Sequence, residues 1–265
     1  MNKKGRSPRT NVISKKIDRF FISLYEVSSF IGRFFKEAFR RPFEFNEIVK
    51  QCYEIGYRSL GLITLTGFIT GLVFTKQSRP SLSEFGAASW LPSLVAIAMI
   101  RALAPLVTSL ICAGKIGSGI GAELGSMKVT EQIDAMEVSA VNPFKFLVVT
   151  RVMATTFMIP MLMMYTAFVG LMGSFLDVYL HEQTSFATFI QNAFQKITFM
   201  DFNSSLIRSL VFGFTIGMVG AFKGYRTTGG TQGVGRSANS AVVMSMFLIF
   251  IEEIFIVQIV NSLRA

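Results

Sequence analysis

The charges of this 265-residue chain best placed to sit at membrane depth are Arg101, Glu252 and Glu253. A charge at the centre of a bilayer costs roughly 2.5–3.5 kcal/mol on insertion scales, so each needs a partner or a wet cavity. Arg101 is read as facing a cavity, where it meets a lipid phosphate or one of the two glutamates. The competing reading is a structural ion pair, or a side chain that reaches back to the interface. The glutamates are adjacent, so they point about 100° apart on a helix, a poor geometry for an acid/base dyad. His181 is the one histidine and has no ligand spacing around it, which disfavours a metalloenzyme. Cys52 and Cys112 form no CxxC and suggest neither a disulfide framework nor a zinc site. Gly114-Lys115 lacks both the upstream glycine and the following Ser/Thr of a phosphate-binding loop. These residues therefore point away from catalysis and from any ATP, metal or cofactor held by this chain.

A second concentration of informative residues runs from Gly114 to Arg151, GKIGSGIGAELGSMKVTEQIDAMEVSAVNPFKFLVVTR. It opens on glycines 114, 117, 119, 121 and 125, passes through a charged block from Lys128 to Glu137, and closes on Asn142-Pro143. Asn before Pro is a strong helix start, so an apolar helix should begin there. Thr130 is read as the N-cap of a short polar helix with Glu131 and Gln132 in its first turn, acidic where the helix dipole favours it. Such a helix, held between two spans, suits docking into a groove of another protein.

The rest of the sequence must position these groups. Hydrophobic residues make up 51% and charged residues 16%, with the charges gathered between apolar runs, as in a bundle of membrane helices. Five spans are predicted: 59–74 (with an extension towards Tyr53), 91–113, 146–176, 206–222 and 241–260. Each approaches the ~20 apolar residues that cross ~30 Å of hydrocarbon. Gly67/Gly71 and Gly213/Gly217 are GxxxG pairs, read first as packing and second as dimer contacts. Met158, Met161, Met163 and Met164 surround Pro160; they suit ordinary packing better than an adaptable acyl-chain cavity.

The formal charge of +10 does not indicate nucleic acid, because twelve of the 26 Lys and Arg precede residue 51. A basic segment ahead of a first span attracts anionic lipid and holds its side in the cytoplasm. Residues 1–16 read as a disordered basic tail, and 17–41 as an amphipathic helix along the bilayer surface, ended by Pro42. Lys115, Lys128, Lys145, Lys223, Arg226 and Arg236 then fall in inside loops. Lys76, Arg79 and Lys196 fall in outside loops, diluted by Glu84, Asp177, Glu182 and Asp201. The chain thus reads as an all-α protein: an interfacial helix, about five transmembrane helices over 53–262, and a short cytoplasmic docking helix within 114–143.

The central segment resembles the signature of the MlaE (YrbE) family of ABC permeases. It matches at Ala122, Glu123, Leu124, Gly125, Met127, Val129, Thr130, Glu131, Gln132, Ile133, Asp134, Ala135 and Glu137. A second likeness, GYRTTGGTQGVGRSANSAVV at 224–243, precedes the last span. The resemblance implies that Glu123, Met127, Thr130, Glu131, Gln132 and Asp134 couple the chain to a separate ATPase subunit, which binds ATP and magnesium. It also implies two copies of this chain around a cavity, an Mce-domain (MlaD-like) periplasmic partner, and phospholipid as cargo, in a bacterial inner membrane with the N-terminus cytoplasmic. One departure stands out. The family often has an acidic residue after the arginine of span two, where this chain has Ala102; its acidic residue in the last span corresponds best to Glu253, with Glu252 an extra neighbour. A stand-alone secondary transporter or channel is the alternative, but it leaves the charged helix without a job. A membrane-embedded lipid-modifying enzyme would need a nucleophile or metal cluster that the sequence does not offer.

Overall fold

In lipid a long apolar stretch satisfies its backbone polar groups within a helix, and every described element is helical. The structure is a computed structural model that describes residues 8–264. Its elements are α1 (Pro8–Ala38), α2 (Phe45–Glu84), α3 (Ala88–Val129), α4 (Gln132–Val138), α5 (Phe144–Glu182), α6 (Phe186–Phe194), α7 (Phe199–Tyr225) and α8 (Gly230–Arg264). Helices α2, α3, α5, α7 and α8 are long and apolar enough to cross a membrane.

The described residues up to Phe43 form one unit and those from Glu44 onward another. In the first, α1 starts at Pro8 rather than at Ile17, so 8–16 are helical where a disordered tail was expected; 1–7 lie outside the described residues. Nothing between Asn11 and Ile17 breaks a helix. The helix stops at Ala38 because Arg41 precedes Pro42, a setting that disfavours helical backbone. Its described face carries exposed Phe21, Leu24, Tyr25 and Phe35.

In the second unit, α5 packs along α2 on one side and α7 on the other, while α8 lies against α7 and the second half of α3. Burial follows that order: 67% of the apolar stretch in α5 and in α7 is buried, against 17% in α8. Helix α8 therefore turns Val243, Phe247, Phe250, Ile254 and Phe255 outward, a face for lipid or another chain. Small residues set the close contacts. Gly67 and Gly71 of α2 meet Thr166 and Gly170 of α5, and Gly213 and Gly217 of α7 meet Thr155 and Val152 of α5. Hydroxyl pairs line the α2–α5 seam, Thr64 with Tyr165 and Thr75 with Ser174, both at 2.8 Å.

The glycine-rich run is the largest difference from expectation. Span two does not end at Ala113; α3 continues to Val129 and draws Lys115 and Gly117–Gly125 into a helix. Gly117, Gly121 and Gly125 recur every four residues, which places them on one helical face. On that face Gly121 meets Ala238 and Ala241 of α8, and Gly125 meets Thr227. From α7, Gly220 and Gly224 approach the carbonyls of Gly117 and Gly121. Small side chains here let three backbones close together.

Candidate functional site

Two groups of side chains lie towards opposite ends of the bundle. The first is assembled by a proline. Pro105 has no N–H, so it cannot serve the carbonyl four residues earlier, Arg101, or five earlier, Ile100. The helix widens into a π turn over Met99–Leu103, and two side chains of α7 supply the missing donors. Ser205 Oγ donates to the Ile100 carbonyl at 2.6 Å, and Arg208 Nη1 to the Arg101 carbonyl at 2.5 Å. The proline thereby ties α3 to α7 with a buried arginine.

Around that tie the charges pair. Arg101 Nη2 donates to Asp201 Oδ2 at 2.8 Å, and Nε lies 2.7 Å from Oδ1 in the same ion pair. Asp201 also accepts from the N–H and hydroxyl of Thr198, both at 2.9 Å, and so caps α7. Arg208 Nη1 donates to Glu253 at 2.9 Å, and the Thr215 hydroxyl to Glu252 at 2.5 Å. The expectation that Arg101 meets Glu252 or Glu253 is therefore corrected. Its carboxylate comes from Asp201, which had been assigned to an outside loop because it precedes the apolar part of span four. Arg208, 6% exposed, was missed altogether. An arginine inside an apolar run is itself the signal. The structure also supplies from another helix the acidic partner absent at Ala102.

At the same end, Arg79 donates to Asp177 at 2.7 Å and to Glu182 at 2.6 Å, fixing α2 to α5. These were expected in outside loops. Asp177 is instead 1% exposed within α5, because that helix runs on to Glu182. His181 Nδ1 lies 2.8 Å from the Asp177 carbonyl. Met163 is buried while Met161 and Met164 are exposed, so the methionines of α5 do not line one surface.

The second group surrounds α4. Its anchor is Ile133, 1% exposed, while Glu131, Gln132, Asp134, Glu137 and Val138 all face outward. Thr130 does not cap this helix. Because α3 runs to Val129, Thr130 closes α3, donating its N–H and hydroxyl to the Ser126 carbonyl at 3.0 and 2.9 Å. Glu131 takes the N-cap position in a left-handed conformation, φ 59°, without a side-chain cap. Lys128 donates to Asp134 at 2.8 Å across the turn. Asn142 does cap the next helix: its Oδ1 accepts from the Lys145 N–H at 3.2 Å, and α5 opens in a π turn over Phe144–Val149. Asn142→Ala should lower stability by about 1 kcal/mol, read as a lower melting temperature of the detergent-purified chain.

Glu123 and Met127 stand apart from α4. Glu123 receives Arg151 Nη2 at 2.7 Å, and that guanidinium also donates to the Leu147 carbonyl at 3.0 Å. Together with Glu47, Lys50, Glu54 and Arg58 of α2, and with Phe146 and Leu147, these residues line an open cleft of about 460 Å³. Lys115 Nζ donates to the Arg58 carbonyl and borders a nearly apolar pocket with Leu62, Leu110, Ile111, Gly114 and Met246. Among the described residues, no three His, Cys, Asp or Glu side chains cluster as metal ligands would.

Comparison with known proteins agrees with this architecture. The family model described as permease MlaE matches residues 48–259. A probable ABC transporter permease protein of Rickettsia bellii is 35% identical over 250 residues, 94% of this chain and 96% of that protein. One from Synechocystis sp. is 36% identical over 211 residues, 78% of this chain and 79% of the relative. The Arabidopsis thaliana chloroplast protein TRIGALACTOSYLDIACYLGLYCEROL 1 is 35% identical over 205 residues, 77% of this chain and 59% of that protein. A multi-pass helical bundle, matched over most of its length by these permeases, belongs to the MlaE family of ABC transporter permeases.

Proposed function

We propose that this chain is the membrane-spanning subunit of a transporter that moves phospholipid or a related lipid between the bacterial inner membrane and a periplasmic Mce-domain carrier. Two copies enclose the cavity, and a separate ATPase subunit binds ATP and magnesium. The observation that carries this reading is α4, a short helix pinned by Ile133 with Glu131, Gln132, Asp134 and Val138 turned out at one end of the bundle. A polar ridge with an exposed Val138 is a surface made to be covered by another protein. With α4 on the cytoplasmic side, the N-terminus is cytoplasmic and α1 lies along the membrane surface. The exposed apolar face of α8 serves the second copy or the surrounding lipid. A glycolipid word in the name of the Arabidopsis relative supports lipid as cargo. Coupling is by differential affinity of transport states for lipid and nucleotide, with no covalent step in this chain.

Arg101 is 36% exposed, and its pairing with Asp201 engages Nε and Nη2, leaving Nη1 for a lipid phosphate. Arg101→Ala and Arg101→Met should each reduce lipid movement in an assembled complex; unchanged movement in both would leave Arg101 a structural ion pair. The assignment as a whole is tested by purifying the chain from its native membrane in mild detergent and identifying what comes with it by mass spectrometry. An ABC ATPase and an Mce-domain protein are expected. Recovery of an intact oligomer of this chain alone would favour a stand-alone transporter.

A further inference from the structure

Helix α3 carries three cations, and among the described residues Lys115 alone of them has no carboxylate. Arg101 has Asp201 and Lys128 has Asp134, while Arg58 on neighbouring α2 has Glu54 at 2.8 Å. Lys115 Nζ donates instead to the Arg58 carbonyl, which holds its head between the two helices. An ammonium has three donors, so two are left.

The depth of this contact can be read from α2. No charged residue stands between Arg58 and Lys76, and those eighteen steps rise about 27 Å, close to the ~30 Å of hydrocarbon. Arg58 therefore marks a polar boundary, and Lys115 shares it. The apolar pocket begins one turn deeper. Leu62 lies four residues beyond Arg58, Ile111 lies four before Lys115, and Met246 of α8 adds a third side to a volume of about 550 Å³. Gly114 keeps the floor open, since a Cβ there would meet only the Met246 Cε within 4 Å, at 3.9 Å. A cation at the boundary with apolar surface beneath it matches a glycerophospholipid, phosphate first and acyl chains below. A diacyl lipid without phosphate would leave the two donors unused, and free phosphate would leave the pocket unfilled. Arg101 belongs to a different place, fourteen residues away along α3, or about 21 Å.

Resting on the reading that this chain moves a lipid, we propose that Lys115 and its pocket bind a phospholipid from the leaflet on the α4 side, with the phosphate on Nζ and one acyl chain against Leu62, Ile111 and Met246. Cargo exchanges with that leaflet here, and Arg101 meets it nearer the opposite face.

The test reconstitutes the intact complex with its ATPase in phosphatidylcholine vesicles that contain a small fraction of one probe. The probe is phosphatidylglycerol or diacylglycerol, each with a photoreactive diazirine in one acyl chain. Cross-links are located by mass spectrometry and scored at Leu62, Leu110 and Ile111 relative to Phe168, an exposed residue of α5 outside the pocket. In the wild type, phosphatidylglycerol should exceed diacylglycerol on the order of fivefold by this ratio. Lys115→Gln should abolish the excess, and Lys115→Arg should keep it. Gly114→Leu fills the floor and should reduce labelling by both probes; Gly119→Leu, where a Cβ meets nothing within 4 Å, should not. Equal labelling by the two probes, or an excess that survives Lys115→Gln, would leave Lys115 a lysine reaching for the interface and overturn the proposal. Labelling at Phe168 with none in the pocket would mean that a second copy covers it, and overturns the proposal as well. ATP-dependent lipid movement is followed in the same vesicles. Its absence in the wild type, beside the expected labelling, overturns the transport reading and leaves the binding site standing.

Discussion

Gly71→Leu should yield a chain that does not fold into the bundle. A Cβ built on Gly71 would lie 2.8 Å from the Gly170 Cα and 2.6 Å from its carbonyl carbon, both backbone atoms. Overpacking costs about 1–3 kcal/mol where side chains can give way. Here two helices must part, and the contacts flanking the glycine part with them. Thr75 loses Ser174, Thr64 loses Tyr165, and Gly67 leaves its place against the Thr166 carbonyl. The loss should exceed about 4 kcal/mol, among the largest for one substitution and a large share of the stability of a typical domain. Size-exclusion profiles and thermal scans of the detergent-solubilised chain would read it. Gly61→Ala and Gly119→Ala are the controls, because a Cβ at either position meets nothing within 4 Å. A wild-type melting temperature for Gly71→Leu would mean that α2 and α5 do not meet at this point.

Reversing charge on α4 should separate the permease from its ATPase. With Glu131→Lys and Asp134→Lys together, ATPase recovered with the tagged chain should fall more than tenfold while membrane insertion is unchanged. Both carboxylates are exposed, and buried Ile133 keeps α4 in place without them. Like-charge contacts at an interface are strongly disfavoured, so two reversals do more than two deletions. Asp134 also holds Lys128 at 2.8 Å, and losing that pair is a separate effect. Lys128→Ala isolates it: the pair is broken but the negative ridge remains, and recovery should stay near wild type, since exposed ion pairs contribute little. Full ATPase recovery with the double reversal would remove α4 as the docking element.

The five spans could be read in the sequence because apolar runs near twenty residues have few other uses. Their ends could not. Asp201 sits in the first turn of α7, ahead of the run that begins near Leu206, so composition placed it in a loop and hid the partner of Arg101. The glycines of 114–125 misled for a related reason. Glycine and serine signal a loop by composition, but Gly117, Gly121 and Gly125 repeat at the step already noticed in Gly67 and Gly71, which marks a helix face. Thr130 followed from that error, since a residue can open a helix only if the previous one has ended. Arg208 was legible in principle: Pro105 strips the Arg101 carbonyl of its donor, and a buried polar side chain elsewhere must replace it. What stayed beyond the sequence is which helix supplies it.

The ion pairs join residues far apart in the chain, Arg101 with Asp201 at a separation of 100 and Arg79 with Asp177 at 98. Ribosomes add about 5–20 residues per second, so each charge of α2 and α3 precedes its partner by roughly 5–20 s. Through that interval a nascent chain carrying α2 and α3 has Arg79 and Arg101 without the carboxylates they meet in the finished bundle. A ribosome stalled shortly after Val129 would therefore hold a segment that quality-control proteases can recognise by its unmatched charge. The same arginines that stabilise the finished bundle report, during synthesis, whether its second half has arrived.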